Sequence, residues 1–370
     1  MTATSAAADG SPRLLVVRND KLGDFMLAWP ALARLKAATP TPQVSVLVPA
    51  YTAPMARLCP WIDRVLVDPG SGAGRAANRE LLAEVKAARF DALLTLFSTP
   101  RIGWLGWRAG IPLRLAPATK WAQLFYNRRV VQRRSRSEKP EYRYNLELAE
   151  TLLQALELTP EPAPAPPYWP LAPEERLKQR ERLSRELGID PARPWVFLHG
   201  GSGGSAVNLS PARYVTLVKG IEERLPESTR PVWILTAGPG EEATAEAIRA
   251  PLAEACLEVH HLPPREGLAD FAITLAAAEL FIAGSTGPLH IAGCLDVATA
   301  GFYPARRSAT PLRWQTCNSA AHRLAFHPPE GAGEQDMASI DLADAACQIA
   351  RLLPSLPPQE VSPCPPSPAS

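Results

Sequence analysis

The stretch LLVVRNDKLGDFMLAWPALARLKAA (residues 14–38) sets the pattern for the chain. Four apolar residues in a row, two of them β-branched, read as a strand covered on both faces, which is the environment of a parallel sheet. A short polar loop follows, and then apolar residues at helical spacing in AWPALARLKAA (28–38). The next buried run, VSVLV (44–48), completes a strand–helix–strand unit. RVLV (64–67), the helical stretch NRELLAEVKAA (78–88) and ALLTLF (92–97) extend it. A doubly wound α/β sheet is the expectation.

The segment TPEPAPAPPYWPLAP (159–173) interrupts this alternation, because proline at that density favours extended backbone and is excluded from helix interiors. We read it as an interdomain linker. Beyond it the alternation resumes with WVFLH (195–199), PVWILT (231–236), LEVHHL (257–262), ELFIAG (279–284) and VATAGFY (297–303). The 370 residues exceed the ~250 to 300 at which single cores stop growing, so two domains are expected, 13–165 and 170–353. The proline-rich tail 354–370 is expected to be disordered. No solenoid repeat is present.

A hydrophobic fraction of 46% with 21% charged residues is that of a globular protein, and no run reaches the ~20 apolar residues of a membrane span. The first dozen residues lack the basic and apolar blocks of a secretory signal, so a cytoplasmic location is expected. The six cysteines are scattered without a CxxC pair, which favours reduced thiols and neither zinc nor disulfide. The formal net charge of +2 hides a concentration: residues 101–143 hold eleven Lys or Arg against two Glu, or +9. Arginines interleave there with Trp104, Trp107 and Trp121, a mixture suited to an anionic membrane surface or a phosphorylated acceptor. Nucleic acid is the competing partner, but no recognisable nucleic-acid module accompanies the stretch.

Three loops at strand ends carry candidate chemistry, since open α/β sheets bind ligands at the carboxyl ends of their strands. RNDKLGDF (18–25) places Asp24 on the loop or first turn entering a helix, where the dipole and free amides favour an anion. Asp20, Lys21 and Gly23 give the loop more ionisable groups than a helix cap needs. HGGSGGSAVNLSP (199–211) puts four glycines between a strand and a helix, leaving backbone N–H groups able to wrap an anion, although a flexible turn reads equally well. ELFIAGSTGPLHIAG (279–293) gives a strand, then Gly284, Ser285, Thr286, Gly287 and Pro288, then a helix carrying His290. Proline just inside a helix start is pre-set for helical backbone, and the hydroxyls and amides can converge on one ligand.

These segments, in this order from about residue 13 to 326, resemble glycosyltransferase family 9, the heptosyltransferases of the lipopolysaccharide inner core. The resemblance implies a GT-B fold, with two Rossmann-like doubly wound parallel-sheet domains facing a central cleft. It also implies an inverting, metal-independent transfer of a sugar, heptose from ADP-heptose, to a lipopolysaccharide core acceptor. Asp24, of the Gly23-Asp24 pair, is then the general base. Donor contacts fall to Gly201, Ser202, Gly203, Gly204, Asn208, Gly238, Glu241, Ser285, Thr286, Gly287, Pro288 and His290. Gly238 and Glu241 lie in TAGPGEEATAEAI (236–248), similar to the family's Gly-Pro-Gly-Glu loop; Glu241 and Glu242 read equally well as first-turn acids.

Acceptor contacts fall to Lys21, Arg101, Lys120 and Arg128. No cofactor or metal is implied beyond the nucleotide-sugar donor, and the expected partners are an anionic glycolipid and the cytosolic face of the inner membrane. The chain departs from the family pattern at Val207, where a lysine is usual, and at Ser285, where an acid is usual. Arg306, Arg307 and Arg313 are candidates for the missing cation, and the Ser285 departure leaves the donor sugar open. A non-catalytic sugar-nucleotide-binding relative and another GT-B enzyme such as an epimerase are the competing readings.

Overall fold

A computed structural model describes residues 10–118, 121–162, 164–203 and 207–356. They form two compact units, one made of the chain up to Trp169 together with Arg307–Ser319, the other of Pro170–Arg306 and the chain from Ala320.

The first unit contains β1 (Arg13–Val17), α1 (Leu22–Met26), α2 (Trp29–Lys36), β2 (Ala38–Thr39), β3 (Gln43–Pro49), α3 (Ala53–Leu58), β4 (Arg64–Asp68), α4 (Arg75–Ala88), β5 (Ala92–Thr95), α5 (Pro100–Arg108), β6 (Leu113–Pro117), β7 (Arg128–Val130), α6 (Glu141–Ala155) and β8 (Thr159–Pro160). Six strands form one parallel sheet in the order β4-β3-β1-β5-β6-β7. Leu14, Leu15, Val16 and Val17 of β1 are all buried, as a central strand with two covered faces requires. Leu15, Val17, Leu47, Leu66, Leu93 and Ile102 lie at the centre of one core cluster.

The segment expected to be an unpaired linker is tied to this unit. Its β8 pairs antiparallel with β2, Trp61 donates to the Tyr168 carbonyl at 2.7 Å, and the rings of Trp29 and Trp169 lie 5.5 Å apart. Burying two tryptophans offsets the ordering cost of a proline-rich stretch.

The second unit begins with α7 (Pro173–Leu187), closed by Gly188 in the left-handed conformation. It continues through β9 (Trp195–His199), α8 (Pro211–Glu222), β10 (Val232–Thr236), α9 (Glu242–Glu254), β11 (Val259–His261), α10 (Gly267–Thr274), β12 (Leu280–Gly284), α11 (Gly287–Cys294) and β13 (Ala298–Phe302). The chain then enters the first unit for residues 307–319, which include α12 (Pro311–Trp314), and returns with β14 (Arg323–Phe326) and α13 (Leu342–Leu352). The expected division assigned 307–319 to the second domain; a buried charge in the first unit, described below, accounts for the difference. A single 3-10 turn (Leu353–Ser355) follows α13, and the remainder of the expected disordered tail, 357–370, lies outside the described residues.

The second sheet is also parallel, ordered β11-β10-β9-β12-β13-β14. Counting the six strands of each sheet by themselves, both orders are 3-2-1-4-5-6, the Rossmann order, with the direction of winding reversing beside the first strand. That reversal places the loops after β1, β9 and β12 at the positions where such sheets bind ligands.

Candidate active site

In the first unit β1 is followed by Arg18, only 3% exposed, and this guanidinium organises three carboxylates. Its Nε donates to Asp20 at 2.8 Å, its Nη2 to Asp24, and its Nη1 to Glu141 at 3.1 Å and to the Asn145 side-chain oxygen at 3.4 Å. Glu141, at the start of α6, is 1% exposed and is also ion-paired with Arg134 at 2.6 Å and Arg313 at 2.5 Å. A buried carboxylate is tolerable only when paired, and three arginines meet that requirement. Burial alone would raise the Glu141 pKa; Arg134, Arg18 and Arg313 outweigh it and hold the group below the usual carboxylate range. The Asn145 amide donates to the Leu27 carbonyl at 3.0 Å, fixing α6 to the turn that follows α1.

Asp24 lies in the first turn of α1 and is 14% exposed, so one face meets solvent. Burial raises its pKa, Arg18 opposes the rise, and the charge of Glu141 adds to it. A partly accessible carboxylate with raised proton affinity can accept a proton from a hydroxyl.

In the second unit the glycine loop follows β9. Asn208 braces it by donating to the carbonyls of Gly200 at 2.9 Å and Gly201 at 3.1 Å while accepting from the Tyr214 hydroxyl at 2.6 Å. A side chain at Gly284 would come within 2.5 Å of the Asn208 oxygen, so the end of β12 needs glycine for this close approach. The Gly203 and Gly238 amides donate to the Glu241 carboxylate at 2.6 and 2.8 Å. These amides and His199, whose Nε2 lies 3.4 Å away, keep Glu241 ionised below its ordinary range despite desolvation. Burial holds His199 below the usual histidine value, against the pull of Glu241.

The loop after β12 enters α11 through Ser285 and Thr286. Thr286 is 5% exposed and its hydroxyl has no hydrogen-bond partner among the described residues. The Nδ1 of His290, one turn further on, is likewise buried and unpartnered there. Burial depresses the His290 pKa to about 4, so the ring is neutral at physiological pH. Gly287 and Pro288 form the first two positions of α11 with Thr286 as the flanking residue. The two atoms lie at one helix entry, where a polar ligand can complete them.

A model of glycosyltransferase family 9 (heptosyltransferase) matches residues 78–329. The chain belongs to glycosyltransferase family 9. It is 46% identical over 340 residues, covering 91% of this chain and 96% of the relative, to a Haemophilus influenzae protein carried under the provisional description of glycosyltransferase. It is 23% identical over 310 residues, 81% of this chain and 85% of the relative, to lipopolysaccharide heptosyltransferase 2 of Salmonella typhimurium. The structure of E. coli ADP-heptose lipopolysaccharide heptosyltransferase II superposes with a TM-score of 0.73 at 18% identity, covering 93% of this chain and 99% of that one. The fold class is GT-B, and this family 9 member is a glycosyltransferase.

Of the expected acceptor residues of this glycosyltransferase, Arg101 is tied through Asp68 to Asn19 in the loop that carries Lys21, and Arg128 lies apart on β7. Lys21 is exposed beside Asp24, and Arg128 is exposed on β7. Arg101 is ion-paired with the buried Asp68 at the end of β4, where the Asn19 amide also donates at 2.7 Å. Lys120 and Gly204 lie outside the described residues. Arg313, a sequence candidate for balancing phosphate, is spent on Glu141 in the first unit, and Arg307 belongs to that unit too; only Arg306 is in the second. The basic stretch is also less uniform than its count implies: Arg114 donates to the carbonyls of Phe125 and Ile111, and Arg134 is ion-paired with the buried Glu141. Arg108, Arg128, Arg129, Arg133 and Arg136 remain exposed, with Trp104, Trp107, Leu124 and Val131 exposed in the same segment.

Arg18, Glu141, Asn145 and Asp68 were not singled out in the sequence, and Arg134 entered only as one cation of the basic stretch. Glu141 left one signal, as one of only two acids in a run of eleven cations.

Proposed function

We propose that this enzyme transfers a sugar, heptose from an ADP-linked donor, to a lipopolysaccharide core acceptor by one inverting displacement with Asp24 as general base. The observation that carries this reading is the Asp24 carboxylate itself, partly exposed, raised in proton affinity, and aimed by a buried arginine at the winding reversal of the first sheet. The acceptor oxygen forms its bond to the anomeric carbon as the bond from that carbon to the diphosphate oxygen breaks. The hydroxyl proton passes to Asp24 and the bonding electrons leave on the diphosphate.

On the donor side, the Thr286 hydroxyl and the Gly287 amide hold the diphosphate at the entry to α11, where the helix dipole favours an anion. Glu241 and Gly238 serve the nucleoside end, with His290 a neutral hydrogen-bonding group. Charge stabilisation from amides asks for no metal ion, in keeping with the lack of an Asp-x-Asp pair in the sequence. The exposed arginines and tryptophans of residues 104–136 fit an anionic glycolipid presented at the cytosolic face of the inner membrane. No helix among the described residues is long and apolar enough to cross a membrane.

The test is calorimetric titration with ADP-, UDP-, GDP- and CMP-sugars in EDTA, paired with turnover measurements on the native enzyme, Asp24→Asn and Thr286→Ala. The expected result is metal-free binding of the ADP-sugar by native and Asp24→Asn protein alike, with about tenfold weaker binding in Thr286→Ala. Turnover of Asp24→Asn should fall by about 10²- to 10⁴-fold. Equal loss of binding and turnover in Asp24→Asn would remove it from the base role.

A further inference from the structure

Asp20 takes no part in the reaction as described, yet it is built onto the same guanidinium as the base. The Nη1 of Arg18 is directed at Glu141 and Asn145, while Nε and Nη2, which form the other edge of the planar group, go to Asp20 and Asp24 respectively. Such an edge ordinarily engages one carboxylate through two parallel hydrogen bonds. Here two carboxylates divide it, Asp20 at Nε and Asp24 at Nη2, so both aspartates answer to one guanidinium. Glu141 is shared among Arg18, Arg134 and Arg313, whereas Arg18 is the arginine ion-paired with the two aspartates.

The groups facing the pair reinforce this division. Asp20 faces Arg18 and Asp24, with Arg134 further off, and its backbone carbonyl accepts the Tyr51 hydroxyl at 2.5 Å. Asp24 faces Arg18, Glu141 and the exposed Lys21. Two like charges on one guanidinium disfavour simultaneous ionisation, and the charge of Asp24 raises the proton affinity of Asp20. Burial pushes Asp20 up to about 6 against the pull of Arg18, with the charge of Asp24 adding to the rise. Burial is also the leading cause of the rise at Asp24.

We propose that Asp20 is the positioning partner of Asp24: by occupying half of the Arg18 edge it limits the base to a single hydrogen bond from that edge and strengthens it through charge repulsion. The inference rests on reading Asp24 as the base. When Asp24 takes the acceptor proton, the repulsion between the aspartates is relieved, so the pair favours that step. Asp20 does not touch the acceptor; it acts through Arg18 and through its own charge.

The experiment is an NMR pH titration of the full chain labelled at the aspartate carboxyl carbons, in native, Asp20→Asn and Asp24→Asn forms. It needs no substrate. Each variant identifies its own resonance by deleting it. In Asp20→Asn the Asp24 midpoint should move down by about one pH unit, and in Asp24→Asn the Asp20 midpoint should move down by a similar amount, since coupling between two sites is reciprocal. If one variant fails to fold, the other reports the same coupling from the opposite side. Midpoints that stay within about 0.2 unit of native would overturn the proposal.

Turnover distinguishes this failure from failure of the base assignment. Asp24→Asn that still turns over removes Asp24 as base whatever the titration shows. An inactive Asp24→Asn with unmoved midpoints removes only the role of Asp20. With both readings intact, Asp20→Asn should lose about three- to tenfold in kcat at unchanged KM, its acid limb moving down with the Asp24 midpoint.

Discussion

The two units share one strand order and place their candidate chemistry at the same reversal of winding, but they handle charge in opposite ways. The first gathers Arg18, Arg134 and Arg313 with Asp20, Asp24 and Glu141 in a largely buried cluster. The second uses backbone amides, a helix entry and one carboxylate, and keeps His199 and His290 below the usual histidine range by burial. Buried side-chain ions bring proton equilibria with them, whereas amide dipoles do not. On the proposed reading, proton transfer falls to the first unit, and the second holds an anion in a site that changes little in charge near neutral pH.

The comparison breaks most readily at Glu141. Replacing it with alanine leaves three arginines facing one another without the carboxylate that joins them, and loss of one partner from a buried ion pair typically costs about 3 to 5 kcal/mol. Urea denaturation should show that loss in Glu141→Ala; a cost below about 1 kcal/mol would mean that water, rather than the carboxylate, solvates the cluster.

His290 sharpens the other side. Its folded pKa of about 4 lies below the ordinary value of 6.5, so the unfolded chain takes up a proton first as pH falls. The contribution is fully present above pH 6.5 and is lost progressively down to about pH 4. Over that window the group alone costs about 1.4 kcal/mol per pH unit. His290→Gln should lack this slope in urea midpoints measured from pH 7 to pH 4.5, and an unchanged slope would show that the ring is hydrated.

The smallest effect is expected at Glu241. Its pKa is depressed, so its stabilisation is complete above the ordinary carboxylate value and disappears as pH falls through the lowered one. Glu241→Gln, which keeps an acceptor oxygen but not the charge, should cost about 1 to 2 kcal/mol at pH 7. Thermal unfolding at pH 7 and pH 3 should show the difference shrinking toward zero at the acid end.

The central strands were legible because LLVV, WVFLH and LFIAG are continuous apolar runs, and a buried parallel strand admits little else. The outer strands at 113–117, 128–130 and 323–326 were not, since each contains an arginine that interrupts the run and is tolerated toward the edge of the sheet. Asp24 and Thr286 were readable as positions because each follows such a strand and enters a helix. Arg18, Glu141 and Arg313 were not readable as a group. They lie 123 and 172 residues apart in sequence, and no local pattern records a pairing that only tertiary packing creates. Arg313 shows the cost most directly, because its charge suggested phosphate whereas the fold gives it to a carboxylate.

The placement of residues 307–319 also bears on the order in which the chain can be completed during synthesis. A ribosome that has released residues 1–169 has delivered all six strands of the first sheet together with Glu141, but not Arg313. The last counter-ion arrives only after most of the second sheet has been made. A fragment ending at the apparent boundary would carry the whole first sheet and still lack α12 and one of the three cations that neutralise its centre. Cutting this enzyme into separately expressed halves thus calls for grafting the distant segment back, not for choosing a better linker position.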